Sequence, residues 1–91
     1  MTRFEDYKKN LLKDPELKRE YDALELEFAM IQALIDARKD QKITQKDLSE
    51  ITGITQADIS RIERGTRNPS VRMMARLAAG LGLSLKLVRE D

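Results

Sequence analysis

The side chains best suited to chemistry lie on a short segment, Thr55–Arg64. Gln56, Ala57, Ser60, Arg61 and Arg64 alternate there with the apolar Ile59 and Ile62 at helical spacing, which leaves the polar set facing outward. Amide, hydroxyl and guanidinium groups on one face of a short helix have the chemistry to read base edges in a major groove. Arg61 has the forked donor that matches guanine, a contact worth about 1–3 kcal/mol of discrimination, and Ala57 is small enough to touch a thymine methyl. Gln45 opens the preceding helix, where its amide and nearby backbone N–H groups can grip a phosphate. Arg38, Lys39 and Lys42 add positive charge. The competing reading is a plain surface helix of a small bundle, since any soluble helix shows a polar face. Spacing, the glycine turn and the arginine content favour DNA.

Two similar helix starts position these residues. Ile43-Thr44-Gln45-Lys46-Asp47-Leu48 recurs as Ile54-Thr55-Gln56-Ala57-Asp58-Ile59. In each, Thr can cap the first turn, and Asp three residues on takes the reciprocal capping-box place and suits the positive end of the helix dipole. Between them Gly53 can adopt the left-handed conformation that ends a helix at low cost. A short helix, a tight turn and a second capped helix make a helix-turn-helix. Leu48, Ile51, Ile54, Ile59 and Ile62 are expected to lock it together. Asn68-Pro69 continues a loop from Gly65, Ser70 caps a further helix to about Leu81, and Val71, Met74, Leu77, Ala78 and Leu81 form its inward side.

A chain of 91 residues allows one small domain with an appendage, and too little core for an enzyme with a deep pocket. With no Cys and no His, thiol and imidazole catalysis, disulfides and the usual zinc sets are excluded, and no metal or other cofactor is expected. Paired carboxylates occur only on charged helices without a phosphate loop or pocket-sized scaffold, so an enzyme is rejected. Residues 1–40 carry eight basic and ten acidic side chains, net −2; residues 41–91 carry nine and six, net +3. The mildly basic half suits DNA, and the mildly acidic front suits a different partner. With no apolar run long enough for a membrane span or a signal h-region, the cytoplasm is the expected location.

Phe4, Tyr7, Leu11 and Leu12 lie on one side of an expected helix over 2–12, and Asp14-Pro15 restarts the chain with a cap and a proline at the first helical position. Leu17 and Tyr21 form a thin apolar strip after it. Leu24, Phe28, Ile31, Leu34 and Ile35 make a fuller face, expected to be core, on a helix from about Leu24 to Lys39. At the other end Leu83, Leu85 and Leu87 alternate as in a strand, with no other strand in the sequence to pair with. Pairing with the same segment of a second copy would satisfy it and give a twofold dimer.

Gln45, Leu48, Gly53, Thr55-Gln56, Ile59-Ser60-Arg61-Ile62-Glu63, Gly65 and Asn68-Pro69-Ser70 resemble the DNA-binding core of lambda-repressor-like, Xre-type regulators, from about Ala33 to Gly82. The resemblance implies that Gln45 grips a phosphate and packs on Gln56, and that Arg64, Arg67 and Asn68 meet the DNA backbone. The expected DNA-binding set is thus Gln45, Thr55, Gln56, Ala57, Ser60, Arg61, Arg64, Arg67 and Asn68. Glu63 is expected to form a structural ion pair near Arg61 and Arg64.

The run Lys13-Asp14-Pro15-Glu16-Leu17-Lys18-Arg19-Glu20-Tyr21 through Glu25, with Ala37-Arg38-Lys39, looks like the antitoxins of HigBA-type toxin–antitoxin modules. One departure is Leu26, where similar sequences often have Pro. This resemblance covers nearly the whole chain. It implies masking of a RelE/HigB-like mRNA-endonuclease toxin and repression of the operon, as a homodimer or toxin–antitoxin complex on an inverted-repeat operator. Phe4, Tyr7, Leu11, Leu12, Leu17 and Tyr21 offer apolar anchors for the toxin, with acidic neighbours that complement an RNA-cleaving partner. The other assignment is a stand-alone Xre-type repressor. The expected fold is all-α: a helical toxin-binding extension (1–23), a lambda-repressor-like helix-turn-helix bundle (24–82) and a short C-terminal dimerisation strand (83–91).

Overall fold

Asp14 begins the first described helix as its sequence demands. Its carboxylate accepts from the N–H of Glu16 at 3.0 Å, its carbonyl takes the first helical bond from Lys18, and Pro15 follows where a missing N–H costs nothing. The computed structural model describes residues 14–89, and the expected helix over 2–12 lies outside them. Four helices follow one another: α1 (Pro15–Asp40), α2 (Gln45–Thr52), α3 (Gln56–Glu63) and α4 (Val71–Gly80). The expected start of a helix near Leu24 is corrected, because α1 runs unbroken from Pro15. Leu26, in the place of the proline of similar sequences, keeps its N–H in the helix, and no Gly or Pro occurs between Glu16 and Asp40. None of these helices is long and apolar enough to cross a membrane.

The chain divides into two units, 1–30 and 31–91. In the described part of the first, Leu24, Leu26 and Phe28 are exposed, Phe28 by 57%. The expectation that Leu24 and Phe28 continue a buried core face is therefore corrected. Helical spacing shows only that two apolar residues share a side; what covers that side depends on the rest of the fold.

The second unit holds the core. Ile31 and Leu34 of α1, Leu48 of α2, Ile54 in the turn, Ile59 and Ile62 of α3, and Met74, Leu77, Ala78 and Leu81 of α4 and its end are buried. Burying a Leu, Ile or Met side chain contributes about 1.5–3 kcal/mol, and nine of these ten residues, all but Ala78, are of that kind. Ile51 and Val71 were expected among them and are exposed, which is a correction. An eight-residue helix has one narrow inward stripe, and Leu48 occupies it.

The path of α2 is fixed at its end. Gly53 sits at φ 76°, and its N–H bonds the carbonyl of Ser49 at 2.8 Å. A side chain there would face both the left-handed penalty and the Arg76 guanidinium, 3.2 Å from the position of an added Cβ. That guanidinium bonds the Thr52 carbonyl at 2.6 Å and so ties α4 to the C-terminal end of α2. Gly80 lets α4 lie close on α2, since a Cβ there would come within 2.7 Å of the Thr52 methyl. Beyond α4, residues 83–89 form no strand, and Leu87 is fully exposed. The expected C-terminal strand is corrected. Alternating leucines make a strand only when a partner ladder takes up their N–H and C=O groups, and the described residues contain none.

Candidate nucleic-acid interface

Thr55 opens α3 with its hydroxyl accepting from the N–H of Asp58 at 3.1 Å. Ile59 and Ile62 are buried beneath the helix. This anchoring presents Thr55, Gln56, Ala57, Arg61 and Arg64 to solvent, with Ser60 half-buried among them, and Asn68 is exposed in the loop beyond. The structure thus brings most of the expected DNA-binding set onto the exposed side of one helix and the loop that follows it.

One member, Gln45, is occupied differently from expectation, and so is Arg38 beside it. Gln45 is half-buried, and the hydrogen bond of its side-chain amide goes to Glu63 at 3.1 Å. Glu63 forms a structural ion pair as expected, and its partner is Arg38. The Nε and Nη2 groups of Arg38 each donate to one Glu63 oxygen at 2.8 Å, while its Nη1 donates to the Ile43 carbonyl at 2.9 Å. Both side chains are only 12% exposed. This correction removes Arg38 from the loose positive charge available to DNA. A planar guanidinium satisfied on three sides is a structural clamp holding the end of α1 to the end of α3 and, through Gln45, to the start of α2.

Around α3 the arginines are also organised. Arg64 donates to the Ser60 carbonyl at 3.3 Å, and the Arg61 carbonyl accepts from the Thr66 hydroxyl at 3.1 Å. Asp58, expected to complete a capping box with Thr55, lies among them instead. Asp58 pairs with Arg67 of the following loop and lies 3.5 Å from Arg61, one turn along its own helix. The Arg67 contact, first, and then the Thr55 hydroxyl and the Arg61 charge hold the Asp58 carboxyl below the usual carboxylate range. The i,i+3 spacing of Asp58 and Arg61 was the sequence signal for the second contact; Arg67 had none, since the loop turn brings it back.

The arrangement is a capped, exposed helix carrying Gln, Ala, Ser and Arg, with further cations at its far end. It can place side chains against base edges and phosphates, and it offers no constellation for bond-making chemistry.

Known proteins agree with this geometry. A family model described as helix-turn-helix matches residues 34–88. An uncharacterized HTH-type transcriptional regulator of Haemophilus influenzae is 40% identical over 63 residues, which is 69% of this chain and 64% of that protein. The uncharacterized HTH-type transcriptional regulator y4dL of Sinorhizobium fredii is 43% identical over 56 residues, 62% of this chain and 29% of that protein. The chain spans less than two thirds of either relative's length. A solved structure, the toxin-antitoxin module from Streptococcus pneumoniae, superposes with a TM-score of 0.67 at 33% identity, covering 80% of this chain and 81% of that one. The buried Ile59 and Ile62, the Gly53 turn and the exposed face of α3 lie within the matched span, and the chain belongs to the helix-turn-helix family, as an Xre-type, HigA-like member.

Proposed function

We propose that the chain is an antitoxin that neutralises a RelE/HigB-like mRNA endonuclease and represses its own operon through α3. The observation that carries this reading is the likeness to a toxin-antitoxin module over four fifths of the chain, joined to a capped helix with exposed polar positions. Gln56, Ala57, Ser60 and Arg61 read bases in the major groove. Thr55, Arg64, Arg67 and Asn68 meet sugar and phosphate, and Gln45 positions the helix through Glu63. A homodimer formed through Leu83, Leu85 and Leu87 sets two such helices about one DNA turn apart, so the operator is an inverted repeat. The exposed state of all three leucines in the single chain supports that assignment. Leu17 and Tyr21 on α1 are the described members of the toxin-facing set; Phe4, Tyr7, Leu11 and Leu12 lie outside the described residues.

The test is co-expression with the small protein encoded beside this chain, followed by pull-down, in parallel with a truncation that starts at Leu24. Co-purification that is lost on truncation supports the antitoxin reading. The curated relatives, both transcriptional regulators, favour a second reading as a stand-alone repressor. Binding to its own promoter DNA with no protein co-purified would establish that one instead.

A further inference from the structure

Asp58 is an acidic group in the middle of a surface that must approach a polyanion. An unpartnered carboxylate there would repel phosphate, and its capping role is unfilled: Thr55 accepts from the Asp58 N–H, while the carboxylate itself turns to Arg67 and Arg61. Asp47, at the matching place in α2, instead returns its carboxylate to the Thr44 N–H at 3.1 Å. The Arg67 side chain is 41% exposed and that of Arg61 57%, so both guanidiniums can reach beyond the protein while touching Asp58.

We infer that Asp58 is the positioning residue of the DNA-facing surface: it holds Arg61 and Arg67 in place and cancels one of their two charges, so that discrimination between DNA sequences depends on it. This rests on the reading of α3 as a DNA-binding helix. Unpaired, two mobile arginines bind any phosphate, because long cationic side chains attract the backbone whatever the base sequence. Paired, they carry one net positive charge between them and start from a fixed direction, so non-cognate DNA gains less and a guanine in register with Arg61 loses nothing in ordering. A carboxylate at this place also repels phosphate when the helix is out of register.

The experiment uses the full chain and two duplexes: one selected by the wild-type protein from a random-sequence pool, and one of mixed, unselected sequence. Affinities are measured by fluorescence anisotropy across a salt series. Asp58→Asn keeps the N–H that Thr55 caps. It is expected to bind the unselected duplex more tightly and to narrow the affinity ratio between the two duplexes by about tenfold. Its salt dependence on unselected DNA should steepen by about 0.9 in log–log slope, the value for one further phosphate neutralised. Asp58→Glu should restore most of the ratio. In an Arg67→Met background the effect of Asp58→Asn on the ratio should shrink, as coupled residues require. An unchanged ratio and slope in Asp58→Asn, or equal effects in both backgrounds, would overturn the inference. Should Asp58→Asn unfold, Asp58→Ser, which also keeps the N–H that Thr55 caps, carries the test: the ratio narrows as for Asp58→Asn, and an unchanged ratio would overturn the inference. If the wild-type chain selects no duplex, the DNA-binding reading itself fails, which is a separate result.

Discussion

Two helix starts of nearly the same sequence end in different structures. At α2 the box is closed on both sides: the Asp47 N–H bonds the Thr44 hydroxyl at 3.0 Å and the Thr44 N–H bonds the Asp47 carboxylate at 3.1 Å. At α3 it is half closed, the Asp58 N–H bonding the Thr55 hydroxyl while the carboxylate goes to two arginines. Local sequence places a carboxylate in the first turn in both cases. A distant cation decides what that carboxylate does, since an ion pair with hydrogen-bonding geometry competes with a neutral N–H donor. The first start is built to hold a helix, and the second keeps the hydroxyl cap and gives its charge to the exposed surface.

The harshest way to break this comparison is to remove what the two helices share. Glu63, the last residue of α3, binds Gln45 at the head of α2 and Arg38 at the end of α1. Glu63→Ala leaves a mostly buried guanidinium without its charge partner and should lower stability by about 3 kcal/mol. Urea unfolding, followed by circular dichroism, measures this. A loss below about 1 kcal/mol would show that Arg38 finds another acceptor and that the two helices are held by core packing alone.

Milder substitutions sharpen the contrast. Thr44→Ala and Thr55→Ala remove the same hydroxyl cap and should cost alike, about 1 kcal/mol each. The aspartates should separate. Asp47→Ala lowers the urea midpoint because it frees a backbone donor; Asp58→Ala leaves the midpoint closer to wild type, since its partners stay solvated. Equal losses for the two aspartates would mean that the arginine contacts matter as much to folding as the box does.

Helix ends give a smaller and opposite effect. The ends of α1, α3 and α4 share one pattern, with N–H groups reaching back to Arg38 and Lys39, to Arg61 and Ile62, and to Ala78 and Ala79. Gly65 and Gly82 supply the left-handed residue at two of them, but Lys42 supplies it at the third, at φ 57°. The left-handed conformation costs a side chain about 1–2 kcal/mol, and glycine's greater unfolded freedom returns about 0.5–1 kcal/mol of that. Lys42→Gly is therefore expected to stabilise the chain by up to about 1 kcal/mol, read as a higher urea midpoint.

What was legible in the sequence follows the same division. The caps at Thr44, Thr55 and Ser70, the Gly53 turn and the buried set from Leu48 to Leu81 depend on neighbours within a turn or two, and spacing reports those. Arg38 with Glu63, and Asp58 with Arg67, are contacts across folded elements, and the sequence offered each cation several carboxylates. Leu24, Phe28 and Ile51 had the spacing of a core but not the cover. The alternating leucines after Gly82 had the spacing of a strand but no ladder. The exposed face of α3 was legible as a set of side chains, whereas spacing marked Asp58 only as a cap and not as the partner of Arg61 and Arg67.

Acid is the gentlest probe of the two aspartates, because it titrates them without changing the chain. The Asp47 carboxyl is held below its ordinary value of 3.8, chiefly by the Thr44 N–H and then by the Thr44 hydroxyl. A carboxyl lowered on folding contributes its full stability above that ordinary value and loses it as pH falls through the lower folded value. Wild-type stability should therefore decline below about pH 4, and Asp47→Asn should decline less steeply because its share is already gone. Asp58 is lowered as well, chiefly by Arg67, but that cause is an ion pair and salt screens it. Added salt should thus flatten the Asp58 share of the acid slope and leave the Asp47 share, which rests on a backbone hydrogen bond, nearly intact. Urea midpoints of wild type, Asp47→Asn and Asp58→Asn between pH 3 and 6, at low and high salt, separate the two. If salt flattened both shares equally, the closed box of α2 and the open one of α3 would be held by the same physics, and the contrast between them would be one of geometry only.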